Sequence, residues 1–227
     1  MESSFNAPVD EEFKKLAGDW GLFSTGYPEH QFEGRYRLKP GDVYVEAGAF
    51  WGRYGLVASH RVGPSGRVIL IEPNPFNHQM IERMVERYSL PNVTLVKCGV
   101  WNIDGTLPFV FHGNPAGGRR AIEADKIRYP EDILEVPVRC LDTLLPELGV
   151  DLVHLLACDV EGAELELTIG CRRLLDEKKI LNTALCAYHA LEMPEFVMRE
   201  LKEHGYEAEY HHNLPHYGGI VYGRPAA

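Results

Sequence analysis

The sequence has few cysteines, and they form no pattern that would bind a metal or build a disulfide framework. The five cysteines are odd in number and include no Cys-x-x-Cys pair. Most of them lie inside apolar, strand-like runs, which is typical of reduced thiols in the core of a cytoplasmic protein. We therefore expect a cytoplasmic protein without disulfides.

Long apolar runs and an excess of basic charge are also absent. No segment approaches the roughly 18 uninterrupted apolar residues of a membrane-spanning helix, and the acidic N-terminal stretch does not resemble a signal peptide. The 33 acidic and 23 basic residues give a formal charge of -10, which opposes sequence-independent attachment to nucleic acid or to anionic membranes. We expect neither a membrane span nor non-specific nucleic-acid binding, and the composition leaves the oligomeric state open.

From Lys39 onward, short β-branched runs alternate with longer segments of helical period. This alternation is typical of an α/β fold in which crossover helices join parallel strands and cover both faces of the sheet. Two closing strands without a helix between them, 207–211 and 220–222, predict an antiparallel edge hairpin. The other predicted strands are 43–46, 68–72, 93–98, 152–159 and 183–188, and the predicted helices are 52–60, 76–88, 163–177 and 194–204.

A length of 227 residues suits one such domain with short additions. We expect an N-terminal extension over 1–38, with at most one amphipathic helix near 10–18, and the main domain over 39–223. A stretch of different character, 102–146, interrupts the alternation and predicts an inserted hairpin.

Within that insertion, the loop 114–120 is a candidate lid over the substrate. Glycine supplies mobility, and arginine suits the recognition of an acidic or phosphorylated acceptor. A surface loop without function is an equally good interpretation, because exposed connections are commonly variable. The residues that carry the lid hypothesis are Gly117, Gly118, Arg119 and Arg120.

The turn after the first predicted strand has the form acid-x-Gly-x-x-x-Gly, from Glu46 to Gly52. Small residues such as Gly48 and Ala49 permit a ligand to approach the backbone closely. In an open α/β sheet, ligands bind beyond the carboxyl ends of the strands, where this turn lies. A dinucleotide fingerprint would need G-x-G-x-x-G, which Phe50 interrupts, and the spacing instead suits S-adenosylmethionine.

Glu72 ends the next predicted strand, so its carboxylate can meet the ribose hydroxyls of that cofactor. Glu46 would then face the amino-acid end of the cofactor through water. Pro73 follows Glu72 directly, and Trp101 follows the third strand, where an adenine would lie. Either acid alone would more often be a solvated or capping residue, but the two acids and the glycine turn together favour a cofactor site.

Three acids lie within six residues at the end of the fourth predicted strand: Asp159, Glu161 and Glu164. Helix capping explains such acids equally well, and for Glu164 it is a sufficient explanation. Asp159 emerges from a nearly continuous apolar run, which favours a functional role. His189 ends the fifth strand, where it is a candidate base or partner for Asp159.

Four segments closely resemble the FkbM family of class I S-adenosylmethionine-dependent methyltransferases. They are residues 38–42, 46–52, 71–75 and 159–164. The resemblance covers about 38–206, and the Asp-Val-Glu-Gly-Ala-Glu run is its most specific part. It implies a seven-stranded Rossmann-like sheet and, in founding members, methylation of a hydroxyl on a polyketide or sugar-bearing natural product.

The chain departs from that family pattern at two places. Glu46 stands where aspartate is commoner, and Ala187 stands where an acid two places before the histidine is frequent. We expect an O-methyltransferase acting on a small molecule, sugar or glycoconjugate, with Asp159 as the main catalytic residue, His189 as its partner or base, and Glu161 in support. A nicotinamide-dependent oxidoreductase and a non-catalytic cofactor-binding protein remain alternatives. A divalent cation held by Asp159 and Glu161 is possible, but no metal site is predicted.

Overall fold

A mostly parallel sheet of seven strands forms the centre of the fold. The structure is a computed structural model that describes residues 31–111, 118–212 and 219–227. In chain order its strands are β1 (Val43–Ala47), β2 (Arg67–Ile71), β3 (Val93–Val96), β4 (Gly99–Val100), β5 (Gly105–Val110), β6 (Arg119–Arg120), β7 (Ile133–Arg139), β8 (Leu155–Cys158), β9 (Thr183–Cys186), β10 (Tyr206–His211) and β11 (Ile220–Pro225).

The helices of the described residues alternate with these strands. They are α1 (Arg53–Val62), α2 (Pro75–Tyr88), α3 (Glu123–Arg128), α4 (Leu141–Glu147), α5 (Glu164–Ile169), α6 (Arg172–Asp176) and α7 (Met193–Glu203), with short 3-10 turns at Gln31–Glu33 and Pro130–Asp132. The side chain of Asn74 accepts a hydrogen bond from the Phe76 N–H at the start of α2, and Pro75 occupies the first helical position. Both features favour a helix start at this point.

The strand order of the large sheet is β10-β11-β9-β8-β1-β2-β3. Strands β9, β8, β1, β2 and β3 run parallel to one another, and β11 pairs antiparallel with both β9 and β10. This topology confirms the predicted parallel sheet with an antiparallel edge hairpin. Because β8 lies next to β1, residues more than a hundred positions apart in sequence meet at one edge of the sheet.

Helices cover both faces of the large sheet, as the alternation predicts. Val45 and Leu156 point into an apolar cluster that includes residues of α4 to α7. Tyr44 and Leu155 point to the opposite face, into a cluster built with α1 and α2. Successive residues of a strand face opposite sides, so the central strands are apolar on both.

A second sheet has four strands, in the order β4-β7-β5-β6. The predicted strand 93–98 was too long, because the chain turns after Val96, whose carbonyl accepts from the Cys98 N–H at 3.1 Å. Gly99 and Val100 then pair with β7 instead of continuing the large sheet. The insertion 102–146 therefore contributes an open sheet, β5 to β7, rather than a hairpin alone.

The single helix predicted over 163–177 is wrong, because the structure divides it into α5 and α6. A Cβ on Gly170 would lie 2.3 Å from the Trp101 carbonyl oxygen, so the backbone passes that carbonyl closely. The side chain of Asp142 then accepts hydrogen bonds from the N–H groups of Arg173 and Leu174 and caps the second helix. Both interactions come from distant parts of the chain.

Other boundaries differ by smaller amounts. Strand β8 begins at Leu155 instead of residue 152 and ends at Cys158, one residue before its predicted end. Strand β9 ends at Cys186, two residues before its predicted end. As a result Asp159 and His189 lie in the turns that follow the strands. The predicted helix 10–18 and most of the candidate lid 114–120 lie outside the described residues, so these remain predictions.

Within the described ranges, no helix combines the length and apolarity needed to cross a bilayer. All five cysteines are free, and four of them are buried.

Candidate active site

A cleft of about 290 Å³ opens at the carboxyl ends of β1, β2 and β8. The sheet register aligns Ala47 with both Ile71 and Cys158. The turns that follow these three residues, after β1, β2 and β8, therefore lie side by side. The described residues that line the cleft come from these turns, from the segment after β3, from β5 and β6, and from the start of α5.

The cleft brings together six of the ten predicted site residues: Gly48, Glu72, Pro73, Trp101, Asp159 and Glu161. The other four are not among the described residues that line the cleft: Glu46, Ala49, Gly52 and His189. Their direct contact with a ligand therefore stays a prediction without support from the geometry.

Glu72 is held in place by a set of donors from two turns. Its Oε2 accepts from the Phe50 N–H at 2.7 Å, and its Oε1 accepts from the Asn74 N–H at 2.9 Å and from Asn77 Nδ2 at 3.0 Å. A carboxylate has about four acceptor directions, so one direction, on Oε2, receives no hydrogen bond from the described residues. We expect a bound ribose to gain one direct hydrogen bond there.

Burial raises the pKa of Glu72 to about 7, although the hydrogen bonds from Asn74, Asn77 and Phe50 act in the opposite direction. The carboxyl group is therefore ionised only partly at neutral pH. Its readiness to accept a hydrogen bond from a hydroxyl increases as the pH rises through that value.

Gly48 is required by packing within the protein. It has a φ of +80°, and an added Cβ would lie 1.9 Å from the carbonyl oxygen of Asp159. The absent Cβ thus allows the turn after β1 to touch the turn after β8. The same glycine was predicted from its turn to permit close approach of a ligand, and this stays a prediction, since Gly48 also lines the cleft.

Glu46 points away from the cleft, toward the face of the sheet that α1 covers. Its side chain is buried, its Oε2 has no hydrogen-bond partner among the described residues, and burial raises its pKa to about 8 despite the nearby Tyr44 phenol. Ala49 packs in the core of the same face. An added Cβ on Gly52 would lie 2.8 Å from Met84 Cε, so this glycine permits α1 to pack against α2.

Asp159 faces the cleft from the turn after β8, and the Tyr188 hydroxyl holds it. The hydroxyl lies 3.2 Å and 3.0 Å from the two carboxylate oxygens. Burial raises the pKa of Asp159 to about 6, while His189 and Tyr188 counteract part of that rise. At neutral pH the group is mainly ionised and more basic than an ordinary aspartate.

His189 lies among three carboxylates. Its Nδ1 is 2.7 Å from Glu164 Oε1, and its Nε2 is 3.6 Å from both Asp159 Oδ1 and Glu161 Oε2. Burial alone would lower the pKa of His189, but the close contact with Glu164 and the nearby Asp159 and Glu161 carboxylates raise it. Ligand atoms of Asp159, Glu161 and His189 lie within 4.8 Å of one another, a spacing that carboxylate clusters also show without a cation.

Three residues of the site were not predicted from the sequence: Tyr188, Glu164 and Asn77. Glu164 was assigned to capping, yet its side chain is fully buried and contacts His189. Asn77 carried a usable signal, because it lies five residues after Glu72 in the first turn of α2. Tyr188 and Glu164 gave no comparable signal, since their roles depend on the pairing of β8 with β9.

Comparison with known proteins agrees with this geometry. The model of the FkbM methyltransferase domain matches residues 42–208, which is well over half of the chain. This protein belongs to the FkbM methyltransferase family. The match confirms the family resemblance that the four sequence segments indicated.

Individual relatives of this FkbM family member are distant. Methyltransferase sdnD of Sordaria araneosa is 26% identical over 153 residues, covering 56% of this chain and 59% of that protein. The crystal structure of an FkbM methyltransferase from Methylobacillus flagellatus KT has a TM-score of 0.65 at 20% identity, covering 94% of this chain and 58% of the other. Aeropyrum pernix fibrillarin with bound S-adenosyl-L-methionine has a TM-score of 0.53 at 15% identity, covering 86% and 72%.

These structural similarities show the class I methyltransferase fold. The chain spans less than two thirds of the length of the first two of these relatives.

Proposed function

We propose that this protein is an S-adenosylmethionine-dependent O-methyltransferase acting on a hydroxyl of a small molecule, sugar or glycoconjugate. The observation that carries the proposal is that Glu72 and Asp159 line one cleft, each at the carboxyl end of its strand. The Glu72 carboxylate keeps an acceptor direction suited to a ribose hydroxyl, and the Asp159 carboxylate is oriented and basic enough to take a proton.

The residues around Glu72 fit the cofactor. Three donors hold its carboxylate with one direction open, and Gly48, Pro73 and Trp101 line the same cleft. S-adenosylmethionine supplies an activated methyl group on a sulfonium, whose departure as a neutral thioether needs no acid from the protein. The remaining work of the protein is to align the acceptor and to activate its oxygen.

Asp159 is the proposed general base. Its carboxylate faces the cleft and is oriented by Tyr188, and its pKa of about 6 leaves it ionised near neutrality, as an efficient base requires. His189 is the positioning partner, because its Nδ1 lies 2.7 Å from the buried Glu164 carboxylate and its Nε2 lies 3.6 Å from Asp159. Glu161 has the supporting role, since its Oε2 lies 3.6 Å from His189 Nε2.

The test uses Asp159→Asn, which keeps the shape of the side chain and removes its charge. Loss of a general base costs about 100- to 10,000-fold in rate, so we expect a loss of that size in the single-turnover methylation of a hydroxyl acceptor found by mass spectrometry. Affinity for S-adenosylmethionine in calorimetry should change only a few-fold. Near-normal turnover would show that Asp159 is not the base.

Glu166→Gln is a matched control, because Glu166 also lines the cleft but is outside the His189 cluster.

Saturable binding of NAD without binding of S-adenosylmethionine would favour an oxidoreductase. Cofactor binding without methyl transfer to any hydroxyl or amine would favour a non-catalytic binding protein.

A further inference from the structure

The wall that the small sheet contributes to the cleft carries positive charge, whereas the acidic groups lie on the other walls. Arg119 and Arg120 form β6, which pairs antiparallel with β5 so that Arg120 lies opposite Phe109 and Arg119 opposite Val110. Side chains that are directly opposite in such a pair share a face of the sheet. Phe109 lines the cleft, so the Arg120 side chain is on the face toward the cleft.

The two neighbouring arginines have different environments. Arg119 donates to both carboxylate oxygens of Asp125, at 2.7 Å and 2.9 Å, and Asp125 also accepts from the Ile122 N–H. The charge of Arg119 is therefore compensated and its side chain is held in place. This bidentate pair anchors the end of the short strand β6.

Arg120 is exposed, and none of the described carboxylates lies within ion-pair distance of it. Its guanidinium lies 5.7 Å from the centre of the Trp101 ring, a cation-π arrangement that orients the group without neutralising it. Trp101 also lines the cleft. Within the described ranges, the Arg120 guanidinium is thus oriented toward the cleft and has no carboxylate partner.

We propose that the methyl acceptor carries an anionic group, a carboxylate or a phosphate, and that Arg120 binds it. A planar guanidinium with free donors matches both anions. This inference rests on the proposed function, because it identifies the substrate class of the same cleft. Arg120 reaches the cleft from the small sheet, whereas Glu72 and Asp159 follow strands of the large sheet, so Arg120 lies on a different wall of the cleft from the proposed ribose contact.

The test measures anion binding, which needs no knowledge of the full acceptor. Wild-type protein loaded with S-adenosylhomocysteine is titrated with inorganic phosphate, with malonate and with glycerol as a neutral probe, and binding is followed by calorimetry. We expect at least one anion to bind and glycerol not to bind. Arg120→Gln should weaken anion binding about tenfold, as for the loss of a charged hydrogen bond. A preference for phosphate or for malonate distinguishes the two kinds of acceptor.

Arg199→Gln is the matched control. Arg199 is likewise an exposed arginine beside an aromatic ring, 5.2 Å from the centre of Phe196, but it lies on α7 outside the cleft. We expect Arg199→Gln to bind the anions like wild type.

Three results would overturn the proposal. The first is no binding of either anion at about 50 mM, where even a weak site with a millimolar Kd would be occupied. The second is a weakening of anion binding by Arg199→Gln equal to that by Arg120→Gln, and the third is a loss of S-adenosylhomocysteine affinity in Arg120→Gln as large as its loss of anion affinity. The last result would make Arg120 a cofactor residue. Failure of S-adenosylhomocysteine to bind the wild type would instead refute the proposed function, while anion binding can still be measured on the protein alone.

Discussion

Replacement of Glu72 by glutamine tests the cofactor site at a single atom. The side chain faces three donors, one at Oε2 and two at Oε1. An amide nitrogen cannot accept a hydrogen bond, so in Glu72→Gln it should occupy the Oε2 position, where it opposes only the Phe50 N–H. That position is also the one with an acceptor direction available for a ribose hydroxyl.

The expected loss follows from this geometry. One charge-assisted hydrogen bond is worth about 1.5–3 kcal/mol, so affinity for S-adenosylmethionine should fall about 10- to 150-fold. Calorimetry at pH 8 is the appropriate measurement, because the pKa of Glu72 is about 7 and the wild-type group is then ionised. Wild-type affinity should increase as the pH rises through 7, whereas Glu72→Gln should lack this increase because it has no proton to lose.

Two controls separate cofactor binding from folding. Glu82→Gln removes the same charge from an exposed position on α2, where Glu82 pairs with Lys97, and it should leave affinity unchanged. In Glu72→Gln the Phe50 N–H loses its acceptor, which costs about 1–3 kcal/mol of stability. Urea unfolding must therefore show that this variant is folded under the assay conditions. If the folded variant binds S-adenosylmethionine within twofold of wild type at pH 8, the ribose assignment is refuted.

Two further predictions concern charge. The buried Glu46 has a pKa of about 8, so it keeps its proton in the folded state at a pH where the unfolded chain has released it. Between about pH 5 and 8 this group should lower the free energy of unfolding by up to about 1.4 kcal/mol per pH unit, and urea titrations of Glu46→Gln should lack that contribution. EDTA or added Mg2+ should leave single-turnover methylation unchanged, because His189 Nε2 already lies 3.6 Å from the carboxylates of both Asp159 and Glu161; a large loss in EDTA would contradict this.

The large sheet could be predicted because its signals are local. Alternating periods indicated the strands, and the absence of a helix between the last two indicated the edge hairpin. The errors arose where a distant backbone group intervened. The break between α5 and α6 depends on the contact of Gly170 with Trp101 and on the cap by Asp142, and no local pattern encodes either interaction.

The candidate site was predictable only in part, for a related reason. Acids at strand ends were visible in the sequence, and Glu72, Asp159 and Glu161 do line one cleft. The face toward which each acid points depends on its register within the strand. Glu46 is one residue before the end of β1 and points into the core, whereas Glu72 follows β2 directly and points into the cleft.

The turns that build the cleft contain two residues in an unfavourable conformation. Phe50 and Glu161 have φ angles of +52° and +51°, in the left-handed region that costs a non-glycine residue roughly 1–2 kcal/mol. Each conformation holds a group that the proposed chemistry uses. The Phe50 N–H donates to Glu72, and the Glu161 carboxylate lies 3.6 Å from His189. Local rules would favour glycine at both positions, and departures of this kind concentrate at functional sites. Of the four described non-glycine residues with positive φ, Ser89 and Lys178 only follow helices, whereas Phe50 and Glu161 lie in the two turns that line the cleft.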